Sequence, residues 1–204
     1  MSAPRPSLGP IDGITLFSTP IFSVDLPDAA AVNAALAPAI LAQAGDAEAA
    51  MPSWASPWGV PDLGTGAGLT VAHAARLLAS RLAEARAPDS WRLDAYAEVL
   101  WQGACASVSE PKADFAALYT VSDGDAAQDA AAGGLLEFQD PRGPAPVMYA
   151  PGLTFTGPGA ESLGVTQTVR LRPGLLLVYP AYLMQSLSFY RGTAPHITVR
   201  MALA

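Results

Sequence analysis

Histidine is scarce in this chain, which limits the metal chemistry that it can carry. The 204 residues include only His73 and His196, and one cysteine, Cys105. A non-haem Fe(II) site is built from two imidazoles and a carboxylate, with positions left open for other ligands. His73 lies off the apolar stripe of a predicted helix, so we predict that it is a solvated residue. Cys105 lies in a predicted strand and is expected to be a buried, unreactive thiol.

The C-terminal segment His196–Leu203 alternates polar and apolar residues with the period of a β-strand. One face of this strand is polar and carries His196, Thr198 and Arg200. The other face is apolar and carries Ile197, Val199 and Met201. We therefore predict that the polar face is directed into a barrel and the apolar face into a hydrophobic core.

Two helices are predicted between the N-terminus and the β-rich part of the chain. A strand over Ile14–Leu26 comes first, and Pro20 either places it at a sheet edge or interrupts it. Asp28 is the expected N-cap of the first helix, in which Pro38 would introduce a kink. Thr70 is the expected cap of the second helix. The apolar stripe of that second helix is predicted to consist of Val71, Ala74, Leu78 and Leu82.

From Trp91 onward, short runs of branched and aromatic residues are separated by Gly, Pro and Asp, a pattern typical of an all-β barrel or sandwich. Eight strands are predicted there: Arg92–Ser107, Ala113–Val121, Gly134–Gln139, Gly152–Thr156, Val165–Leu171, Leu175–Tyr179, Leu183–Tyr190 and His196–Leu203. Helices followed by antiparallel strands favour a mainly β jelly roll, with the N-terminal helices packed on one sheet. We expect a flexible tail over residues 1–13 and a single domain over residues 14–204.

The composition argues against several classes of function. The chain is 51% hydrophobic and 14% charged, which is enough for a sizeable core. A formal net charge of −7 and a single lysine, Lys112, leave no basic stripe for nucleic acid or for an anionic membrane. No uncharged apolar run approaches the roughly 20 residues of a membrane-spanning helix. With one cysteine and no signal-peptide pattern, a cytoplasmic location is expected.

Three segments carry a resemblance to a known family. They are Phe17-Ser-Thr-Pro20, Gly134-Leu-Leu-Glu-Phe-Gln-Asp-Pro-Arg142 and Pro173-Gly-Leu-Leu-Leu-Val-Tyr-Pro-Ala-Tyr-Leu-Met-Gln185. In this order and spacing they resemble a small bacterial family of 2-oxoglutarate/Fe(II)-dependent oxygenases. That family has a cupin-like double-stranded β-helix, which is a jelly-roll fold. The resemblance spans Leu16 to Ala204, and its most specific block is the segment that ends in Asp-Pro-Arg.

The resemblance implies positions for the metal ligands and for the cosubstrate anchor. The family's His-x-His-Pro segment corresponds to Val108-Ser-Glu-Pro111, which puts Val108 and Glu110 at two ligand positions. Gln185, two residues after the Tyr-Pro-Ala-Tyr-Leu turn, stands at the position of the distal histidine. His196 stands where the family's arginine would hold the carboxylate of 2-oxoglutarate. All three implied ligand positions therefore lack histidine, and the anchoring arginine is replaced.

These replacements lead to the hypothesis of a non-catalytic relative, without a catalytic residue or a metal ligand, that binds a small polar or anionic molecule. The pocket implied by the resemblance is lined by Glu110, Tyr119, Gln185, His196 and Arg200. A barrel mouth that is polar only because solvent enters would account for the same residue types.

Two alternatives remain open. In the first, the chain is an active oxygenase with an atypical centre, and Glu110, His196 and water or a partner's residues hold Fe(II), with 2-oxoglutarate as cosubstrate. In the second, it is a structural or assembly protein that uses a face of the barrel as an interface. A homodimer is compatible with each of these hypotheses.

Overall fold

The protein is built from two antiparallel β-sheets and two α-helices. The computed structural model describes residues 19–59, 63, 65–83, 87–108, 112–126, 129–141, 143, 148 and 166–204. The helices are α1 Ala29–Ala44 and α2 Gly66–Leu82. The strands, in chain order, are β1 Phe22–Asp25, β2 Ser53–Ala55, β3 Leu93–Leu100, β4 Ala106–Val108, β5 Phe115–Asp123, β6 Leu136–Phe138, β7 Gln167–Val169, β8 Leu175–Pro180, β9 Gln185–Leu187 and β10 His196–Leu203.

The larger sheet has six strands in the order β1-β8-β5-β10-β3-β2. Its central strand β10 pairs with β3 on one side and with β5 on the other, so that Arg200 lies opposite both Tyr96 and Leu118. All eight residues of β10 are buried, as expected for a central strand that is covered on both faces. Strand β1 lies at the sheet edge, but it begins at Phe22, after Pro20, so the described part of the strand predicted over Ile14–Leu26 is shorter than expected.

The smaller sheet has four short strands in the order β4-β9-β6-β7 and packs against the larger one. Its inward residues, such as Leu136 and Leu187, share one hydrophobic cluster with Leu118 and Leu177 of the larger sheet. The two sheets therefore face each other across a common core. This arrangement confirms the predicted jelly roll.

Both helices cover the outer face of the larger sheet. Helix α1 contributes the buried Val32, Leu36, Ile40 and Ala44, spaced every four residues, and it continues through Pro38. Asp28 occupies the predicted N-cap position of α1, although its side chain makes no capping hydrogen bond. Within the described residues, neither helix is long and apolar enough to cross a membrane.

The predicted start of α2 was wrong. The helix begins one turn earlier, at Gly66, because the side chain of Thr65 accepts a hydrogen bond from the Gly68 amide at 3.4 Å. Thr70 therefore lies inside the helix. The buried face also differs from the predicted stripe and consists mainly of small residues: Gly68, Val71, Ala72, Ala75 and Ala79. Small side chains let α2 approach the sheet closely, so Leu78 and Leu82 lie at the margin of the contact.

The single strand predicted over Arg92–Ser107 is in fact two strands. Strand β3 ends at Leu100, and a turn containing Gly103, with φ of +93°, leads the chain from the larger sheet to β4 in the smaller one. A φ in this range favours glycine, which is why the strand cannot continue through it. Cys105 follows the turn and is exposed, contrary to the prediction of a buried thiol. The predicted strand Gly152–Thr156 lies outside the described residues.

Candidate functional site

The polar face predicted for the C-terminal strand lies between the two sheets. His196, Thr198 and Arg200 are 0%, 1% and 0% exposed. The apolar face of β10 packs instead into the core beneath the helices, as the alternation predicts. Neighbouring strands and the facing sheet add further buried polar residues around Arg200. We call the following set the interior polar cluster: Glu98, Thr120, Tyr179, Gln185, His196, Thr198 and Arg200.

Arg200 and Glu98 form a buried ion pair at the centre of this cluster. Arg200 Nε donates to Glu98 Oε2 at 3.0 Å, and the Thr198 hydroxyl donates to the same oxygen at 3.4 Å. The side chains of Arg200 and Glu98 are 0% and 9% exposed. Burial is the largest single influence and lowers the pKa of Arg200, but the Glu98 carboxylate together with Tyr179 and Tyr96 outweighs it and holds that pKa above its usual value. Arg200 is therefore a permanent positive charge inside the barrel.

Gln185 connects this ion pair to the smaller sheet. Its Oε1 accepts a hydrogen bond from Arg200 Nη1 at 3.2 Å and another from the Tyr179 hydroxyl. An amide oxygen has two lone pairs, so this pair of donors uses its accepting capacity. On the backbone, Gln185 lies directly opposite Val108 in the pairing of β4 with β9. Two positions that the family resemblance assigns to metal ligands are therefore neighbours on adjacent strands.

His196 lies in a narrow space at the start of β10. The ring of Tyr190 packs edge-on against the imidazole, with centroids 5.5 Å apart, and the backbone of Gly134 lies on another side. Burial, followed by the positive charge of Arg200, lowers the pKa of His196 to about 4. Nearby backbone groups of Gly134 and His196 oppose this shift but do not overcome it, and neither meets hydrogen-bond geometry with a ring nitrogen. His196 is therefore neutral at physiological pH.

Several polar atoms of the interior polar cluster are buried without a hydrogen-bond partner among the residues that the structure describes. They are Arg200 Nη2, Thr120 Oγ1 and both ring nitrogens of His196. Thr120 lies opposite Thr198 on β5, so these groups occupy neighbouring positions on the inner face of the larger sheet. Buried polar groups in native proteins are nearly always hydrogen-bonded to protein or to ordered water. These atoms therefore need partners from outside the described residues, such as ordered water or a bound polar molecule.

The structure brings together three of the five residues predicted to line the pocket: Gln185, His196 and Arg200. Tyr119 lies on the opposite face of the larger sheet, where its hydroxyl donates to Asn33 Oδ1 of α1 at 2.7 Å. Burial there raises the pKa of Tyr119 to about 12. Glu110 lies outside the described residues. His73 is exposed on α2, as predicted.

Sequence reasoning missed three members of the interior polar cluster, Glu98, Thr120 and Tyr179, of which Glu98 and Tyr179 are the instructive cases. Each had a detectable signal. Glu98 is the one acidic residue in an otherwise apolar half of β3, on the same face as Tyr96 and Leu100. Tyr179 shares the alternating pattern of β8 with Leu175 and Leu177, which face the same core. For both residues the alternation along the strand predicts which face of the sheet the side chain lies on. The hydrogen-bond partner could not be inferred without the pairing register of the strands.

The described members of the cluster do not fit a divalent metal ion. Among the residues with described positions, no three or more His, Cys, Asp and Glu side chains are grouped so as to hold a metal. The carboxylate of Glu98 is paired with Arg200, and the amide oxygen of Gln185 accepts hydrogen bonds from Arg200 and Tyr179. A metal ion beside these oxygens would have to displace a buried cation.

No protein-family model matches the sequence, and no curated protein matches it. Solved structures do show a similar fold. A prolyl-4-hydroxylase from Pseudomonas putida is 16% identical, with a TM-score of 0.58 over 92% of this chain and 94% of that one. AviO1 from Streptomyces viridochromogenes is 13% identical, with a TM-score of 0.53 over 91% of this chain and 90% of that one.

A third similar structure is the epimerase SnoN in complex with Fe3+, alpha ketoglutarate and nogalamycin RO. It is 17% identical, with a TM-score of 0.54 over 91% of this chain and 78% of that one. At these identities the likeness shows the fold alone. The chain therefore has the double-stranded β-helix fold of 2-oxoglutarate/Fe(II) oxygenases, as the family resemblance implies.

Proposed function

We propose that this protein is a non-catalytic relative of the 2-oxoglutarate/Fe(II) oxygenases whose barrel binds a small polar or anionic molecule. The observation that supports binding is the group of buried polar atoms that lack a hydrogen-bond partner among the described residues: Arg200 Nη2, Thr120 Oγ1 and the ring nitrogens of His196. Leaving a buried polar group unpaired costs about 1–3 kcal/mol. A bound molecule that satisfies several of them at once would recover much of that free energy.

The atoms of this group define which chemical features a ligand needs. Arg200 Nη2 offers only donors, so it requires an oxygen acceptor such as a carboxylate or a carbonyl. Neutral His196 offers one donor and one acceptor, and the Thr120 hydroxyl can serve as either. A small molecule with a carboxylate or carbonyl oxygen at one end and a hydroxyl group at the other would complement these three side chains.

The non-catalytic part of the proposal is supported by the residue types at the positions that the resemblance assigns to the metal. Valine at position 108 has no lone pair, and Gln185 offers a neutral amide in place of an imidazole. Glu110 alone would bind divalent iron far more weakly than two imidazoles and a carboxylate. The carboxylate of Glu98 is already paired with Arg200, the same residue that donates to Gln185.

The decisive experiment is an anaerobic titration of the metal-stripped protein with Fe(II), first alone and then with 2-oxoglutarate. Calorimetry would follow metal binding, and absorbance would follow the charge-transfer band between metal and cosubstrate. We expect no heat of Fe(II) binding and no charge-transfer band. Micromolar binding with the band would overturn the proposal and favour the atypical oxygenase, and Glu110→Ala would then show whether Glu110 is a ligand.

Ligand binding is tested separately by thermal unfolding in the presence of lactate, 2-oxoglutarate or glycerate. A molecule that binds only the folded protein stabilises it by RT ln(1 + L/Kd), where L is the free ligand concentration, so the melting temperature rises with the logarithm of L once the site is filled. We expect a shift with at least one of the three, a smaller shift in Thr120→Val, and an unchanged shift in the surface variant His73→Gln. A melting temperature that none of the three raises would contradict the binding half of the proposal.

A further inference from the structure

We propose that the guanidinium of Arg200 is a built-in cation that takes the place of a divalent metal inside this barrel. Its two hydrogen-bonded contacts are oxygen atoms of the kind that a metal ion binds, one from Glu98 and one from Gln185. SnoN, which has a similar fold, is known in complex with Fe3+. Arg200 would hold this role whether or not the barrel binds the small molecule proposed above.

The contacts of Arg200 join the two sheets. Glu98 lies on β3 and Arg200 on β10, both in the larger sheet, whereas Gln185 lies on β9 of the smaller sheet. The same Gln185 oxygen accepts the hydroxyl of Tyr179 from β8. One cation therefore holds oxygen atoms from both sides of the barrel interior, which is the arrangement that a metal cross-link between the sheets would have.

The chemistry of the guanidinium matches this position. It is planar, always charged, and presents donors in several fixed directions, so it can satisfy a carboxylate and an amide oxygen together. Its charge is balanced by Glu98 at 3.0 Å. A divalent ion bound beside these oxygens would be repelled by the guanidinium of Arg200. The repulsion is strong because the dielectric constant of the protein interior is low.

Any buried guanidinium needs acceptors besides its counter-ion, so the informative feature is which residue supplies one: Gln185, which stands at an implied ligand position. Gln185 also pairs on the backbone with Val108, which is itself an implied ligand position. The inference therefore makes a specific claim: supplying an imidazole at position 185 is not sufficient for metal binding while Arg200 is present.

The test compares Gln185→His with the double variant Gln185→His/Arg200→Met, using Co(II) as the probe. The visible absorption of protein-bound Co(II) reports both the affinity and the coordination geometry, independently of any activity. We expect Co(II) to bind the double variant about ten-fold more tightly or better, because a like charge has been removed. Gln185→His/Arg172→Met, which removes an exposed arginine, should behave like Gln185→His alone.

Equal Co(II) affinities with and without Arg200 would overturn the inference, as would the absence of binding in both folded variants. If the chains carrying Arg200→Met do not fold, Arg200→Lys decides the question by thermal unfolding. Lysine keeps the positive charge but lacks the planar set of donors of the guanidinium. A lysine variant that folds while the methionine variant does not would therefore support a cationic role. Failure of both variants to fold would contradict the inference, because a positive charge alone would then not be enough at this position.

Discussion

Arg200 and Glu98 meet diagonally across the pairing of β10 with β3. Arg200 lies directly opposite Tyr96, and Glu98 lies directly opposite Thr198. Diagonal neighbours on one face are separated by about 7–8 Å, so only long side chains can join them. The guanidinium donates to Glu98 through its Nε, which leaves the Nη atoms for other partners. Nη1 donates to Gln185 Oε1. The diagonal geometry thus explains how one arginine contacts both sheets.

The first prediction concerns the ion pair itself. Glu98→Leu leaves a guanidinium buried without its counter-ion, and we expect it to lower the free energy of unfolding by about 3–5 kcal/mol. Glu98→Leu/Arg200→Met removes both charges, so its free energy of unfolding should fall less than that of Glu98→Leu alone. Urea unfolding of the two single variants and the double variant measures the coupling. Simple additivity of the single losses would contradict a direct interaction.

The second prediction follows from the low pKa of His196. The unfolded chain binds a proton near the ordinary histidine pKa of 6.5, whereas the folded protein holds His196 neutral down to about 4. The unfolded state therefore binds more protons between these values, so stability is lost as the pH falls from about 6.5 to about 4. The loss amounts to about 3 kcal/mol at most.

Urea unfolding at several pH values measures this loss. His196→Gln should flatten the stability profile between pH 6.5 and 4, because the titrating group is gone. His73→Gln serves as the matched control, since His73 is exposed and its removal should leave the profile as it is. A profile that is unchanged in His196→Gln would show that other groups cause the acid sensitivity.

Much of the fold could be predicted because its signals are local. The period-two alternation of the last strand correctly places His196 and Arg200 on the inner face, and the four-residue spacing of Val32, Leu36 and Ile40 correctly predicts the buried face of α1. The errors have local causes too. Thr65 and Thr70 are both acceptable helix caps by type, and only the hydrogen bond to Gly68 distinguishes them.

The candidate site was less predictable because it depends on register. Tyr119 was expected in the pocket, yet it lies opposite Val199 and therefore faces the helices. A register shift between Ile197 and Thr198 changes which residues of β5 face inward near this point, and nothing in the sequence marks it. The contact between Gln185 and Arg200 crosses from one sheet to the other, so no strand pattern within either segment could reveal it.

The third prediction concerns Tyr119, which links the larger sheet to α1. Its hydroxyl donates to Asn33 Oδ1 at 2.7 Å, so Tyr119→Phe should lower the free energy of unfolding by about 1 kcal/mol. The pKa of about 12 also predicts that Tyr119 ionises well after exposed tyrosines. Absorbance at high pH, compared between wild type and Tyr119→Phe, tests this. A missing component near pH 10 in the variant would contradict the buried position.

The last prediction tests how closely the backbone packs against His196. Gly134 has φ of +67°, and a Cβ there would lie 3.0 Å from His196 Cδ2 and 3.1 Å from Tyr190 Cδ2. Gly134→Ala should therefore lower the free energy of unfolding by about 1 kcal/mol or more through backbone strain, and further through crowding of the two rings. Gly45, with φ of +54° and nothing within 4 Å of an added Cβ, provides the matched control because Gly45→Ala carries the backbone cost alone.

The difference between these two glycine variants measures the packing against the rings of His196 and Tyr190. Adding His196→Ala to Gly134→Ala should reduce the difference, since the shorter side chain leaves room for the new methyl group. Urea unfolding of the four variants, including His196→Ala alone, measures this. Equal losses in Gly134→Ala and Gly45→Ala would mean that the imidazole can move away freely. A mobile ring of that kind could not offer the fixed donor and acceptor that the proposed ligand requires.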